Sequence, residues 1–234
     1  MSLKYTIIVL FLTVLNAFNS MAQESFTRNL DDFISLEVIG NIRVEIYPST
    51  DLHADLILEN ITPDKVISDI THLNLSIRLK TDSPENARVT VKLYYKTLNQ
   101  ITVSANAHII SDVPLKAEDV EFTAKLGGRI DLEVEMESLT ASAIQGGIIY
   151  FSGNVQKQIV NVATGGIYSA YELEASDSYV KAASGGKAKV VAGRTIDATA
   201  NFKGFIGYKG NPSSTYIKTN FGGEIASFKD EPAE

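Results

Sequence analysis

The 234-residue chain has no cysteine, no tryptophan and only three histidines. Without cysteine there can be no disulfide framework, thiolate-held metal, cysteine nucleophile or lipid anchor on an N-terminal cysteine. The histidines, His53, His72 and His108, lack metal-ligand spacing, and no HExxH occurs. They read as surface or edge residues. GxSxG is missing, and so is the calcium-binding nonapeptide repeat. No catalytic, cofactor-binding or metal-binding residue is assigned, and no cofactor is expected. Basic residues are the minority, 21 Lys+Arg against 28 Asp+Glu, for a net charge of −7. That balance argues against nucleic acid or an anionic membrane surface as partner. Neither a linker rich in Pro, Gly and Ser nor a coiled-coil heptad is present.

What is present begins with an expected export signal. Lys4 supplies a positive start, Ile7 to Leu15 is apolar except for Thr13, and Ser20-Met21-Ala22 puts small residues at positions −3 and −1 of a cleavage site. The apolar run is too short to span a bilayer comfortably. Residues 1–22 are expected to be removed. The mature chain then starts at Gln23, has about 212 residues (234 − 22), no transmembrane segment and a net charge of about −8 (20 − 28, Lys4 being lost). Its expected location is the periplasm, the outer-membrane surface or the medium.

The most informative feature is a recurring glycine pair. Gly127-Gly128, Gly146-Gly147, Gly165-Gly166, Gly185-Gly186 and Gly222-Gly223 recur, with Gly204-Phe205 as a degenerate copy, at steps of 19, 19, 20, 19 and 18 residues. A repeat this short is too small for a helix pair and suits one coil of a β-solenoid. Five residues before each pair stand Phe122, Ala141, Val160, Val180, Thr199 and Ile217. Three before stand Ala124, Ala143, Val162, Ala182, Asn201 and Thr219. The column between them is mostly polar. This in–out–in alternation predicts strands whose apolar residues stack coil upon coil. Asn106-Ala107 reads as an earlier copy, because asparagine tolerates the left-handed conformation. Thr199, Asn201 and Gly207 suggest that the core thins toward the C-terminal end.

Residues 23–100 read as a β-rich lead. Ile34, Leu36 and Val38 alternate with polar neighbours, as do Ile42, Val44 and Ile46, and the intervening Gly40-Asn41 is a hairpin signal. Leu73 to Leu79 and Val89 to Tyr95 alternate as well. Pro63 to His72 fits either one helical turn or a loop. The fold class is therefore all-β: a strand-rich N-terminal part (23–100) continuous with a parallel β-helix of about 19-residue coils (101–228), followed by a polar tail (229–234).

Together, Gly127-Gly128-Arg129-Ile130, Gly146-Gly147-Ile148-Ile149, Gly165-Gly166-Ile167-Tyr168, Gly185-Gly186-Lys187-Ala188 and the leading Leu36-Glu37-Val38-Ile39-Gly40-Asn41-Ile42-Arg43-Val44 resemble the auto-transporter adhesin "head GIN" domain, which is common in exported proteins of Bacteroidetes-type bacteria. The resemblance covers roughly residues 31–228. It implies a β-helix-like fold and a surface or periplasmic setting. Few residues follow the last repeat, so self-translocation through a C-terminal membrane barrel is not expected.

Two groups of side chains could carry function. Asp131, Glu133, Glu135 and Glu137 share one parity of a strand. The residues 19 positions on are Tyr150, Ser152, Asn154 and Gln156, so a solvated strand face is expected rather than a catalytic carboxylate pair. Aromatic residues are numerous in the repeats: Tyr150, Phe151, Tyr168, Tyr171, Tyr179, Phe205, Tyr208, Tyr216 and Phe221. Exposed rings could stack on sugars or peptide, and buried ones would serve the core. The function expected is that of a non-catalytic exported surface or envelope protein binding a surface glycan or protein ligand through a repetitive face. Alternatives are a polysaccharide-active enzyme and a structural module, which an open solenoid end would allow to form a homo-oligomer.

Overall fold

The structure is a computed structural model that describes residues 24–228. The expected signal segment and the polar tail lie outside the described residues. The leading part contains β1 (Glu24–Asn29), β2 (Ser35–Ile39), β3 (Ile42–Pro48), β4 (His53–Glu59), β5 (Val66–Thr71), β6 (Asn74–Leu79) and β7 (Arg88–Tyr95). The repeat region contains β8 (Gln100–Ser104), β9 (His108–Ile110), β10 (Leu115–Lys125), β11 (Arg129–Ile144), β12 (Ile148–Ala163), β13 (Ile167–Ala183), β14 (Lys187–Val191), β15 (Thr195–Asn201), β16 (Phe205–Lys209), β17 (Ser214–Asn220) and β18 (Glu224–Phe228).

These strands form the expected β-solenoid. Sheet A stacks β6, β2, β8, β10, the second halves of β11, β12 and β13, then β15 and β17, all parallel. Sheet B stacks β7, β3, β9, the first halves of β11, β12 and β13, then β14, β16 and β18, also parallel. The sheets enclose an apolar lumen in which Phe122 and Phe151 meet edge to face, 4.7 Å apart. Along β11 the buried residues are Ile130, Leu132, Val134 and Met136, then Leu139, Ala141 and Ala143. The parity flips at Glu137-Ser138, where the chain turns from sheet B to sheet A. Such a flip keeps apolar residues inside on both arms of a coil.

The other corner carries the glycine repeat. Its two tip residues both have positive φ, as in Gln145 (51°) and Gly146 (76°). A Cβ at Gly146 would meet nothing within 4 Å, so that position needs only a tolerable left-handed backbone. A Cβ at Gly147 would lie 2.0 Å from the carbonyl oxygen of Ala124 in the preceding coil. The second position is thus fixed by coil-to-coil approach, and the first, at Gly146, Gly165 and Gly185, by backbone angle alone. Asn106 fills a first position as expected, with φ of 67°.

Two sequence readings need correction. The degenerate corner is Phe202-Lys203-Gly204: Lys203 takes the first place with φ of 61°, and Gly204 takes the second. The residues stacked on Val180 and Ala182 are accordingly Ala198 and Ala200, not Thr199 and Asn201, and Ile206 stacks on Ala188 in place of Gly207. All three are fully buried, so the core does not thin at that coil. Gly40-Asn41 is not a hairpin. It is a corner between β2 and β3, which pair in parallel with β6 and β8 and with β7 and β9 respectively. The ambiguous Pro63–His72 segment resolves into a 3-10 turn (Pro63–Lys65) followed by strand β5.

The stack does not follow chain order at its N-terminal end. Strands β2 and β3 lie inside the outermost coil, β6 and β7. Antiparallel strands cover that coil, β5 on β6 and β4 on β7, and β1 then pairs antiparallel with β4.

Candidate functional site

From β11 onward the repeat is broken once by insertion and once by deletion, in consecutive coils. From the residue after the glycine corner to the first residue of the sheet A arm, the interval is nine residues in β11 (Arg129 to Ser138) and β12 (Ile148 to Lys157), with each pair in register. In β13 it is ten (Ile167 to Asp177), and in the next coil eight (Lys187 to Thr195). The extra residue is a β-bulge: Tyr150 pairs with Ser169, but Ser152 pairs with Glu172. A bulge leaves a residue outside the ladder and re-aims its side chain. Here it places Tyr171 over the following coils, where its hydroxyl would lie 2.4 Å from a Cβ at Gly207. Burial raises the Tyr171 phenol above its ordinary value.

Beside the bulge is a depression of about 420 Å³ on the outer side of sheet B. Tyr150 and Tyr171 supply its rings, Asp131, Glu133 and Glu172 its carboxylates, and Ser152 a hydroxyl. Asp131 is held rigidly. Its Oδ2 accepts from Arg129 Nε at 2.7 Å and lies 2.8 Å from His108 Nε2, while Oδ1 is buried with no partner. Burial by itself would raise this carboxyl, but the hydrogen bonds from His108 and Arg129 outweigh it and hold Asp131 below the ordinary 3.8. The Arg129 guanidinium also lies over the Tyr150 ring, 4.8 Å from its centre.

The structure separates the sequence candidates. Asp131 and Glu133 share the depression, whereas Glu135 pairs with Lys116 at 2.6 Å and Glu137 sits at the corner outside the ladder. Acidic residues do return after the Tyr150 coil: Glu172 continues the column of Glu133, and Glu174 that of Glu135. Strict 19-residue counting hides both. Phe151 and Tyr168 belong to the core, and the Tyr168 hydroxyl donates to Gln158 Oε1 at 2.7 Å inside the lumen. Tyr150, Tyr179, Tyr216 and Phe221 are exposed. His53 stacks on Tyr94, His72 forms part of the β5–β6 turn, and His108 joins the Asp131 network. Among the described residues no cluster of three or more His, Asp or Glu could hold a metal, and no helix is long and apolar enough to cross a membrane.

A short-coiled parallel β-solenoid with a ligand-sized depression on one sheet defines the structural class. The chain belongs to the family described as "putative auto-transporter adhesin, head GIN domain", matched over residues 32–212. Solved structures share the fold. A "putative adhesin" from Bacteroides fragilis NCTC 9343 has a TM-score of 0.72 at 18% identity, covering 88% of this chain and 98% of that one. A "putative lipid binding protein" from Parabacteroides distasonis ATCC 8503 has a TM-score of 0.68 at 20% identity, covering 88% and 96%. A "putative adhesin" from Parabacteroides merdae ATCC 43184 has a TM-score of 0.65 at 22% identity, covering 88% and 95%. No curated protein matches the chain.

Proposed function

We propose that the chain is a non-catalytic, exported surface or envelope protein that binds a glycan in the depression beside Tyr171. The observation that carries this reading is the single-residue bulge, which interrupts the ladder to set one tyrosine against carboxylates and hydroxyls. Sugar hydroxyls are donors that ionised carboxylates accept well. Aromatic rings offer faces or edges to apolar sugar C–H surfaces. The adhesin descriptions of the relatives agree with this reading. A lipid ligand, named for one relative, fits less well, because acyl chains gain nothing from Glu133, Glu172 and Ser152.

A polysaccharide-active enzyme would need a carboxyl protonated at working pH to serve as acid. Asp131, pushed down by its two partners, has the opposite character. Export follows from the expected signal segment at residues 1–22, and N-terminal sequencing of the secreted protein would test it.

The site is tested by screening the mature protein against an oligosaccharide array and titrating the hits calorimetrically. Tyr171→Ala is expected to weaken binding about tenfold, roughly 1.4 kcal/mol. Binding of no glycan, or equal binding by Tyr171→Ala, would overturn the reading. Turnover of a bound glycan that disappears in Glu133→Gln would establish the enzyme instead.

A further inference from the structure

Sheet A carries a second surface with different chemistry. Its outer column runs Thr140, Ile159, Tyr179, Asp197 and Tyr216, one residue per coil, in parallel register. Ile159 (39%), Tyr179 (38%) and Tyr216 (63%) are exposed large side chains on an otherwise polar sheet. Around Ile159 and Tyr179 lies a hollow of about 760 Å³, flanked by Lys157, Asn161, Lys181 and Asp197.

Charge differs along this sheet. Asp119 and Glu121 project from β10 with Lys125, at the end nearer the N-terminal cap, whereas Lys157, Lys181 and Lys218 project from β12, β13 and β17, with Asp197 from β15. Of the carboxylates near the lysines, Asp177 is already occupied by Arg194. The Lys157 ammonium lies over the Tyr179 ring, 5.5 Å from its centre. A protein of net charge −7 thus keeps a local basic strip beside a column of exposed rings.

We propose that this strip binds an extended anionic polysaccharide of the polyuronate class. Tyr179 and Tyr216 are two coils apart, about 10 Å at the usual interstrand spacing. That is about the length of a disaccharide unit in an extended chain, so alternate sugars can lie on successive rings. Their carboxylates then fall beside the lysines of the adjoining columns, Lys157 on one side and Lys181 and Lys218 on the other. Asp197, between the two rings, receives hydroxyls of the intervening sugar. A neutral glycan could use the rings but would leave the lysines without partners. The strip therefore discriminates by charge, unlike the carboxylate-lined depression on sheet B.

The test is calorimetric titration of the mature protein with a defined oligogalacturonate and with a neutral xylo-oligosaccharide of equal length. The oligogalacturonate is expected to bind more tightly and to weaken in high salt, because exposed ion pairs are screened. Lys157→Gln with Lys181→Gln should weaken it at least tenfold, and so should Tyr179→Ala. Tyr171→Ala should leave it unchanged, which separates this site from the sheet B depression. Absence of oligogalacturonate binding, equal affinity for the neutral chain, or indifference to the lysine substitutions would each overturn the proposal. So would anionic phospholipid vesicles that bound as tightly with the same dependence on Tyr179.

Discussion

Two stretches of one solenoid differ in what their irregularity does. From β10 to β12 the coils repeat at 19 residues and every pair holds register. Across β13 to β15 one coil gains a residue and the next loses one, and the ladder resumes beyond each irregularity. Regularity builds the rod, and the compensated defect builds the depression. The bulge is absorbed locally, because pairing resumes within the same coil from Ser152 and Glu172 to Ala163 and Ala183.

The largest expected effect tests the regular stretch. Gly147→Ala adds one methyl group 2.0 Å from the Ala124 carbonyl oxygen, where only backbone can yield. The expected cost is about 3 kcal/mol or more, a fall in Tm of roughly 6–12 °C for a chain of this size. Gly146→Ala, next to it, meets no atom and bears only the left-handed strain, about 1–2 kcal/mol. Differential scanning calorimetry of the two variants should rank them in that order. Equal Tm values would show that the coils do not approach as closely as the corner geometry requires.

The middle effect tests what holds the irregular stretch. Gln158 is fully buried. Its Nε2 donates to Ser178 Oγ at 2.8 Å and to the Val191 carbonyl at 3.2 Å, and its Oε1 accepts from the Tyr168 hydroxyl. Ser178 Oγ also donates to that Val191 carbonyl, the last residue of β14 before the shortened corner. These bonds tie the lumen to the point where the deleted residue would have been. Gln158→Met keeps the volume but leaves the Tyr168 hydroxyl buried without its acceptor. The expected loss is about 1–3 kcal/mol. Chemical denaturation measures it, and the double variant Gln158→Met with Tyr168→Phe should recover part of the loss. No loss in the single variant would mean that apolar packing alone secures the defect.

Most of the regular stretch could be read from residue types, because stacking places the same demand on every coil. The glycine column, the buried residues from Phe122 to Val180 and the role of Asn106 all followed from that. The register slipped at Lys203-Gly204 because glycine was weighted equally at both corner positions. The structure asks for it strictly only at the second. Gly40-Asn41 misled for a related reason: a short-range turn signal cannot report that the partners of β2 and β3 lie tens of residues away. The 20-residue step between Gly165 and Gly185 was visible, but its position within the coil was not. Counting two periods of 19 from Glu133 lands on Tyr171, whereas the bulge puts Glu172 there. The site was hidden at a place where the period fails.

The smallest effect sharpens the boundary between the two stretches, where Asp131 of the regular β11 faces the bulge. Its folded pKa lies below the ordinary 3.8 because hydrogen bonds from His108 and Arg129 favour the ionised form more than burial opposes it. A depressed carboxylate contributes stability that is fully present above its unfolded pKa. That contribution is lost as pH falls through the lower folded value. Wild-type stability should therefore decline below about pH 4 in part through this group. Asp131→Asn should be somewhat less stable at pH 7, by on the order of 1 kcal/mol given the partial exposure of the network, with the gap closing as the solution is acidified. Urea midpoints measured from pH 7 down to pH 2 read this directly. A gap that stayed constant across the acid range would mean that Asp131 is held by shape and not by charge. The depression would then lack the fixed anion on which its preference for hydroxyl-rich ligands rests.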